Sequence, residues 1–307
     1  MTILTPSRFF WIGGSHKSGT TWIMQMLNSH PEIGVTGEAG FFGFEWGVRS
    51  WLDRDAFEKW QEEKVRRHTW LLGVDREELE LAFQRSLVET LMRQRFANRK
   101  PPVQVYGDKT PFFYNVHSEE VHRLFPESRF LDVIRDGRDV MVSHMFHMMN
   151  LDYGVGSSRG GAKAQRRYYL EGKGRKVPLF TSRARHRLAK DWRGCILGGR
   201  RAEKLFGDAY LAVRYEDLLS DPDAELRRIL RFLDVPHRPD LVDRCVSAHR
   251  FEAASGRERG AEDRTSFYRK GVAGDWRNHF TDEDRQEFKQ ICGQLLMELG
   301  YEQNDAW

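Results

Sequence analysis

Gly13-Gly14-Ser15-His16-Lys17-Ser18-Gly19-Thr20-Thr21-Trp22 follows directly on the apolar run Phe9-Phe10-Trp11-Ile12. Beyond it, Thr20 to Asn28 brings Trp22, Ile23, Met26 and Leu27 to helical spacing. The stretch therefore predicts a strand, a glycine turn and a helix in succession. Free N–H groups at a helix N-terminus bind anions, and glycines let the main chain wrap closely around a phosphate. Gly14 and Gly19 keep the glycine spacing of the nucleotide loop G-x-x-x-x-G-K-[ST], but Thr20 stands where the lysine belongs and the lysine lies inside the loop, at Lys17. A lysine after the second glycine reaches the β and γ phosphates, and the hydroxyl after it holds magnesium. Thr20 and Thr21 instead suit hydrogen bonds to a single terminal phosphate, with Lys17 neutralising a leaving oxygen. An ordinary glycine turn with a capped helix is the alternative for this segment alone.

Further short apolar runs, Val103 to Tyr106, Phe130 to Ile134 and Tyr210 to Val213, alternate with helical patterns. That alternation predicts a P-loop-like three-layer α/β fold: a central, mainly parallel sheet flanked by helices. The 307 residues, 40% hydrophobic and 31% charged, fit one domain. Two stretches break the alternation. Residues 45–100 read as an amphipathic, charged helical insertion. Residues 152–178 combine Gly154, Gly156, Gly160, Gly161, Gly172 and Gly174 with many Arg and Lys, which suits a flexible lid or a solvated surface loop.

The charge balance, 49 basic against 45 acidic residues, suits an anionic ligand but not the coating of nucleic acid. Cys195, Cys245 and Cys292 are an odd number, widely spaced and without a C-x-x-C pair, so neither a disulfide framework nor a zinc site is indicated. A reducing compartment fits, and the expected location is the cytoplasm. The N-terminal apolar run is too short for a signal core, and membrane insertion is not expected. Nothing in the sequence sets an oligomeric state.

Lys17-Ser18-Gly19-Thr20-Thr21-Trp22 resembles the 5′-phosphosulfate loop of sulfotransferases that use 3′-phosphoadenosine 5′-phosphosulfate (PAPS). Arg135-Asp136-Gly137-Arg138-Asp139-Val140-Met141-Val142-Ser143 is similar to that family's 3′-phosphate segment, an arginine at a strand end and a serine in the next helix. Arg269-Lys270-Gly271-Val272-Ala273-Gly274-Asp275-Trp276-Arg277-Asn278-His279-Phe280-Thr281 resembles the C-terminal signature of the cytosolic members. Tyr215-Glu216-Asp217-Leu218 resembles a further segment, whose tyrosine lies near the adenine. The resemblance implies sulfuryl transfer from PAPS to an acceptor hydroxyl or amine, without a metal. It implies that Arg135, Ser143, Arg269, Lys270 and Gly271 hold the 3′-phosphate, and that Trp22 and Phe251 enclose the base. Core packing is the alternative for both aromatics. A donor that is anionic at two ends does require two separate cationic sites.

The departures concern the proton acceptor. Cytosolic members place a histidine after a Lys-Thr pair, whereas Lys109-Thr110 precedes Pro111. Asp108-Lys109-Thr110-Pro111-Phe112 is similar to the glycan-modifying branch, where a glutamate after the first helix serves as base. Glu38, after a short apolar run that would form a second strand, is the candidate, with Lys17 and Lys109 stabilising charge on the moving oxygens. His16 stands where the family often has proline and is a lesser candidate; His117, His144 and His147 read as structural. Phe41, Phe42, Phe44, Trp46, Phe112, Phe113 and Tyr114 suit either an apolar acceptor pocket or the core. Small molecules, glycans and carrier-bound acceptors all remain open, and the arginines and lysines of 152–178 would attract an acidic one. The competing readings are a P-loop kinase or ATPase, with Asp132 as its magnesium-binding acid, and a nucleotide-binding module without catalysis.

Overall fold

A computed structural model describes residues 8–42, 59, 62–63, 75–151 and 159–307. The chain begins β1 (Arg8–Gly14), α1 (Thr20–Asn28), β2 (Ile33–Gly37), α2 (Arg76–Arg95), β3 (Val105–Lys109), α3 (Phe113–Val116), α4 (Ser118–Leu124) and β4 (Arg129–Ile134). It continues with α5 (Gly137–Asn150), α6 (Arg159–Tyr169), α7 (Ser182–Phe206), β5 (Tyr210–Arg214) and α8 (Tyr215–Ser220). Then come α9 (Pro222–Phe232), α10 (Pro239–Ser247), α11 (Phe251–Ser255) and α12 (Asp282–Glu298).

The strands form one five-stranded sheet in the order β2-β3-β1-β4-β5, and every pairing is parallel. Alternation along β1 explains why both faces are covered. Phe10 and Ile12 point into an apolar cluster shared with α1, α9 and α10, while Phe9 and Trp11 point the other way, among Tyr114, Phe125, Phe130 and Phe206. The result is the expected three-layer α/β arrangement. A third cluster joins α5, α7 and α12 through Met145, Trp192 and Phe288. Side-chain caps fix where helices start: Thr181 accepts from Ala184 N, and Thr281 with Asp284 forms a reciprocal capping box on α12.

Of the helical stretch expected over 45–100, α2 is described, and 43–74 lies outside the described residues apart from positions 59 and 62–63. Of 152–178, residues 152–158 lie outside them. The remainder holds α6, and its following segment is fastened back by Tyr169 Oη donating to Val177 O (2.9 Å) and Gln165 Nε2 to Leu179 O (3.0 Å). Among the described residues no helix is long and apolar enough to cross a membrane.

Candidate active site

A parallel sheet presents all its strand C-termini at one edge, and here each delivers a candidate residue there. The phosphate loop follows β1, Glu38 follows β2, Lys109 closes β3, Arg135 follows β4 and Tyr215 follows β5. Because Gly37 is in register with Lys109 across β2 and β3, the next residue, Glu38, falls beside the lysine.

The loop after β1 is braced at several points. Gly14 N donates to Asn115 Oδ1 (2.5 Å), Gly14 O accepts from Phe112 N (2.6 Å), and Ser18 folds its hydroxyl and its N–H onto Ser15 O. The loop enters α1 through Gly19, at φ +100°, where a methyl group would stand 2.7 Å from the Tyr215 ring. The N-terminal turn of α1 thus faces the cavity with its orphan N–H groups. Lys17 has a left-handed backbone (φ 66°), held by Arg135 Nη1 donating to Lys17 O at 2.8 Å. Burial, reinforced by the charges of Arg135 and Lys109 and opposed by Glu38, lowers the Lys17 ammonium to about 8. Its Nζ lies 3.9 Å above the Phe267 ring.

Lys109 is nearly buried, and its Nζ donates to Glu38 Oε1 at 2.6 Å. Glu38 is largely exposed, has a left-handed backbone (φ 55°), and is fixed by Glu38 N donating to Lys109 O (2.7 Å). Burial pushes the Glu38 carboxyl up, but the Lys109 hydrogen bond and the charges of Lys109, His16 and His147 bring it below its ordinary value. Beneath this pair, buried Asp108 accepts from Thr36 Oγ1 (2.5 Å), Thr110 Oγ1 (2.7 Å), Tyr114 Oη and Ala39 N (3.3 Å). One carboxylate therefore ties the ends of β2 and β3 to α3.

Arg135, also in the cavity wall, touches three segments. Besides the loop, it reaches Val272 O (3.5 Å), and its guanidinium lies 4.1 Å over the Tyr215 ring. Arg269 and Lys270 both donate to Asp275, at 2.6 Å each. Gly271 is left-handed (φ +65°), and a methyl group there would meet the Phe251 ring at 2.5 Å. Gly271→Ala is therefore expected to destabilise the protein by about 1–3 kcal/mol, a backbone cost plus a clash. Gly256, also left-handed but with nothing within 4 Å, supplies the control: Gly256→Ala should cost only the backbone part, and thermal unfolding of both variants separates the two.

A cavity of about 560 Å³ joins these parts. Lys17, Gly19, Thr20, Thr21, Trp22, Glu38, Arg135, Ser143, Tyr215, Phe251, Arg269, Lys270 and Gly271 all line it. Ser18 is buried and braces the loop from within; Lys109 meets the cavity through Glu38. Among the described residues the Trp22 indole N–H and Arg135 Nε, buried in this wall, have no hydrogen-bond partner. Among the aromatics, Phe112 and Phe113 line the cavity, whereas Phe41, Phe42 and Tyr114 belong to the core; Phe44 and Trp46 lie outside the described residues. Asp132 sits inside the fold, accepting from Asn115 Nδ2 (2.7 Å) and Tyr210 Oη (2.8 Å), away from the phosphate loop's cavity.

Sequence reasoning set aside His144 and His147, yet both line the cavity with His16. The signal was present: residues 143 and 147 are four apart on α5, so one helix face that presents Ser143 also presents His147. Burial pushes the His144 imidazole down to about 3, so it is neutral. His117 stacks on Phe113 (6.5 Å between centroids) and lies outside the cavity lining. Phe267, Tyr268, Arg187 and Asp191 also line the cavity and carry no motif of their own.

Comparison with known proteins bears on the family and the fold. A model of the sulfotransferase family matches residues 10–240, and the chain belongs to that family. Protein-tyrosine sulfotransferase A of Caenorhabditis elegans is 25% identical over 264 residues, covering 81% of this chain and 57% of that protein. The 3-beta-hydroxysteroid sulfotransferase of Cavia porcellus is 27% identical over 200 residues, covering 60% of this chain and 63% of that one. The chain thus spans less than two thirds of the length of these curated relatives. In fold it resembles mouse sulfotransferase SULT7A1, solved complexed with PAP, at a TM-score of 0.53 and 17% identity over 96% of this chain and 86% of that one.

Proposed function

We propose that this protein transfers a sulfuryl group from PAPS to an acceptor hydroxyl or amine, releasing adenosine 3′,5′-bisphosphate (PAP). The observation that carries the reading is one cavity lined by two cationic sets: Lys17 with the α1 N-terminus, and Arg135 with Arg269-Lys270-Gly271. Two such sets suit a nucleotide anionic at both its 5′ and 3′ positions. Trp22, Tyr215 and Phe251 supply apolar surface in the same cavity for the adenine.

In the proposed reaction the acceptor oxygen or nitrogen forms a bond to sulfur in line with the bridging phosphate oxygen, whose bond to sulfur breaks. Glu38, ionised and at the cavity wall, takes the acceptor's proton. Lys109 holds that carboxylate in place through its 2.6 Å hydrogen bond. Lys17 and the α1 N–H groups stabilise charge collecting on the leaving phosphate. Phe112, Phe113, His144 and His147 border the space left for the acceptor, whose identity the proposal leaves open among small molecules, glycans and carrier-bound groups. The missing loop lysine and the interior engagement of Asp132 disfavour a magnesium-dependent kinase or ATPase.

Calorimetric titration with PAP tests the reading and its pH dependence together. Lys17 titrates at about 8 and binds an anion only when protonated. Affinity should therefore hold below about pH 8 and weaken above it, by about tenfold in all once Lys17 has lost its proton. Absence of PAP binding at millimolar concentration overturns the proposal.

A further inference from the structure

Asp275 opens a short 3₁₀ turn (Asp275–Asn278) just beyond the Arg-Lys-Gly triplet and is almost wholly buried. Each of its carboxylate oxygens takes one of the triplet's cations: Lys270 Nζ on Oδ1 and Arg269 Nη2 on Oδ2, both at 2.6 Å. Asn278 Nδ2 joins Oδ1 at 2.9 Å, and His279 Nε2 lies 3.2 Å from Oδ2. The turn is anchored from α5, where Asp139 accepts from Gly274 N (2.6 Å) and Trp276 N (2.9 Å). Arg269 is gripped a second time, its Nη1 donating to Glu262. Glu262, Asp275 and His279 bring ligand atoms within 4.8 Å of one another, as a metal site would. Both Asp275 oxygens already hold cations, so the cluster is built to place positive side chains rather than to take up an ion.

We propose that Asp275 is a positioning residue that sets Arg269 and Lys270 in place for the donor's 3′-phosphate, and thereby sets selectivity for nucleotides that carry it. The inference rests on the proposed donor reading. Two opposing effects meet at this carboxylate. Its negative charge weakens the attraction of the site for a phosphate, while its hydrogen bonds remove the rotamer freedom of two long side chains before the ligand arrives. Asp275 is almost wholly buried, so its charge is little screened, but that charge is already shared among Arg269, Lys270 and Asn278, and the ordering of the two cations is the effect proposed to prevail.

The experiment compares PAP with adenosine 5′-monophosphate, the same nucleotide without the 3′-phosphate, by calorimetry. In Asp275→Asn the Kd for PAP should rise about tenfold, the effect of having to order two cationic side chains on binding, while the Kd for the monophosphate stays within twofold. A PAP affinity that is unchanged or tighter, or a proportionate loss for both nucleotides, overturns the inference. If Asp275→Asn does not accumulate as folded protein, Asp275→Glu, which displaces the charge by a methylene, is judged by the same criterion. Arg269→Ala separates the two levels of argument. If it also fails to discriminate the nucleotides, the 3′-phosphate reading itself is wrong; if it discriminates and the Asp275 variant does not, only the role of Asp275 falls.

Discussion

Glu38→Gln is expected to lower kcat for sulfuryl transfer about 10³-fold, the middle of the range for losing a positioned general base, while leaving the Kd for PAP unchanged. The substitution is conservative in shape: the amide oxygen still accepts from Lys109 Nζ, so the lysine is not left unpaired. What disappears is the carboxylate's capacity to take a proton. Single-turnover rates with radiolabelled PAPS, alongside PAP calorimetry, measure the two quantities separately. Wild-type turnover with intact donor binding removes Glu38 from the mechanism and turns attention to His16, one of the imidazoles that line the cavity.

The second large effect is expected at Lys17. Lys17→Met keeps most of the aliphatic side chain but removes the ammonium, and with it both the stacking on Phe267 and the charge proposed to face the leaving phosphate. A group that acts chiefly on charge developing in the transition state should affect rate more than ground-state affinity. We expect kcat/KM to fall about 10³-fold and PAP affinity to fall only about tenfold. Equal losses in the two would mean that Lys17 contributes binding alone. The left-handed backbone at Lys17 supports the first outcome, because Arg135 holds an uncommon conformation in place from across the sheet edge.

Much of this site could be read before any coordinates, for identifiable reasons. The strand-turn-helix at Phe9 to Asn28 has a clean change of hydrophobic period, and β1 and α1 fall where that change puts them. The strand expected at Val103 to Tyr106 instead runs Val105–Lys109. Gly107-Asp108-Lys109 looks like a turn because its polarity is local, while its burial is earned by distant groups. The Phe10 ring occupies the space above Gly107, and Thr36, Thr110 and Tyr114 satisfy Asp108. Tertiary partners of that kind leave no periodic trace. The segment from Arg135 to Ser143 divides similarly. Arg135 and Ser143 face the cavity, but Arg138 turns away to Asp136 and Glu302, between the rings of Trp276 (4.0 Å) and Trp307 (4.4 Å). Those rings lie far along the chain, and composition alone could not separate a structural arginine from a ligand-facing one.

The order of strands in the sheet also divides the labour of the site by mechanical security. The phosphate loop and Arg135 grow from β1 and β4, each paired on both sides, whereas Glu38 grows from β2, which among the described residues has a neighbour on one side only. The outer side of β2 is nonetheless stitched, Val35 exchanging two bonds with the Asn28 side-chain amide and Ile33 O accepting from Arg99 Nη1. The proposed donor grip and the proposed base thus stand on different strands of one sheet, so a change made at the β2 margin should reach the second before the first.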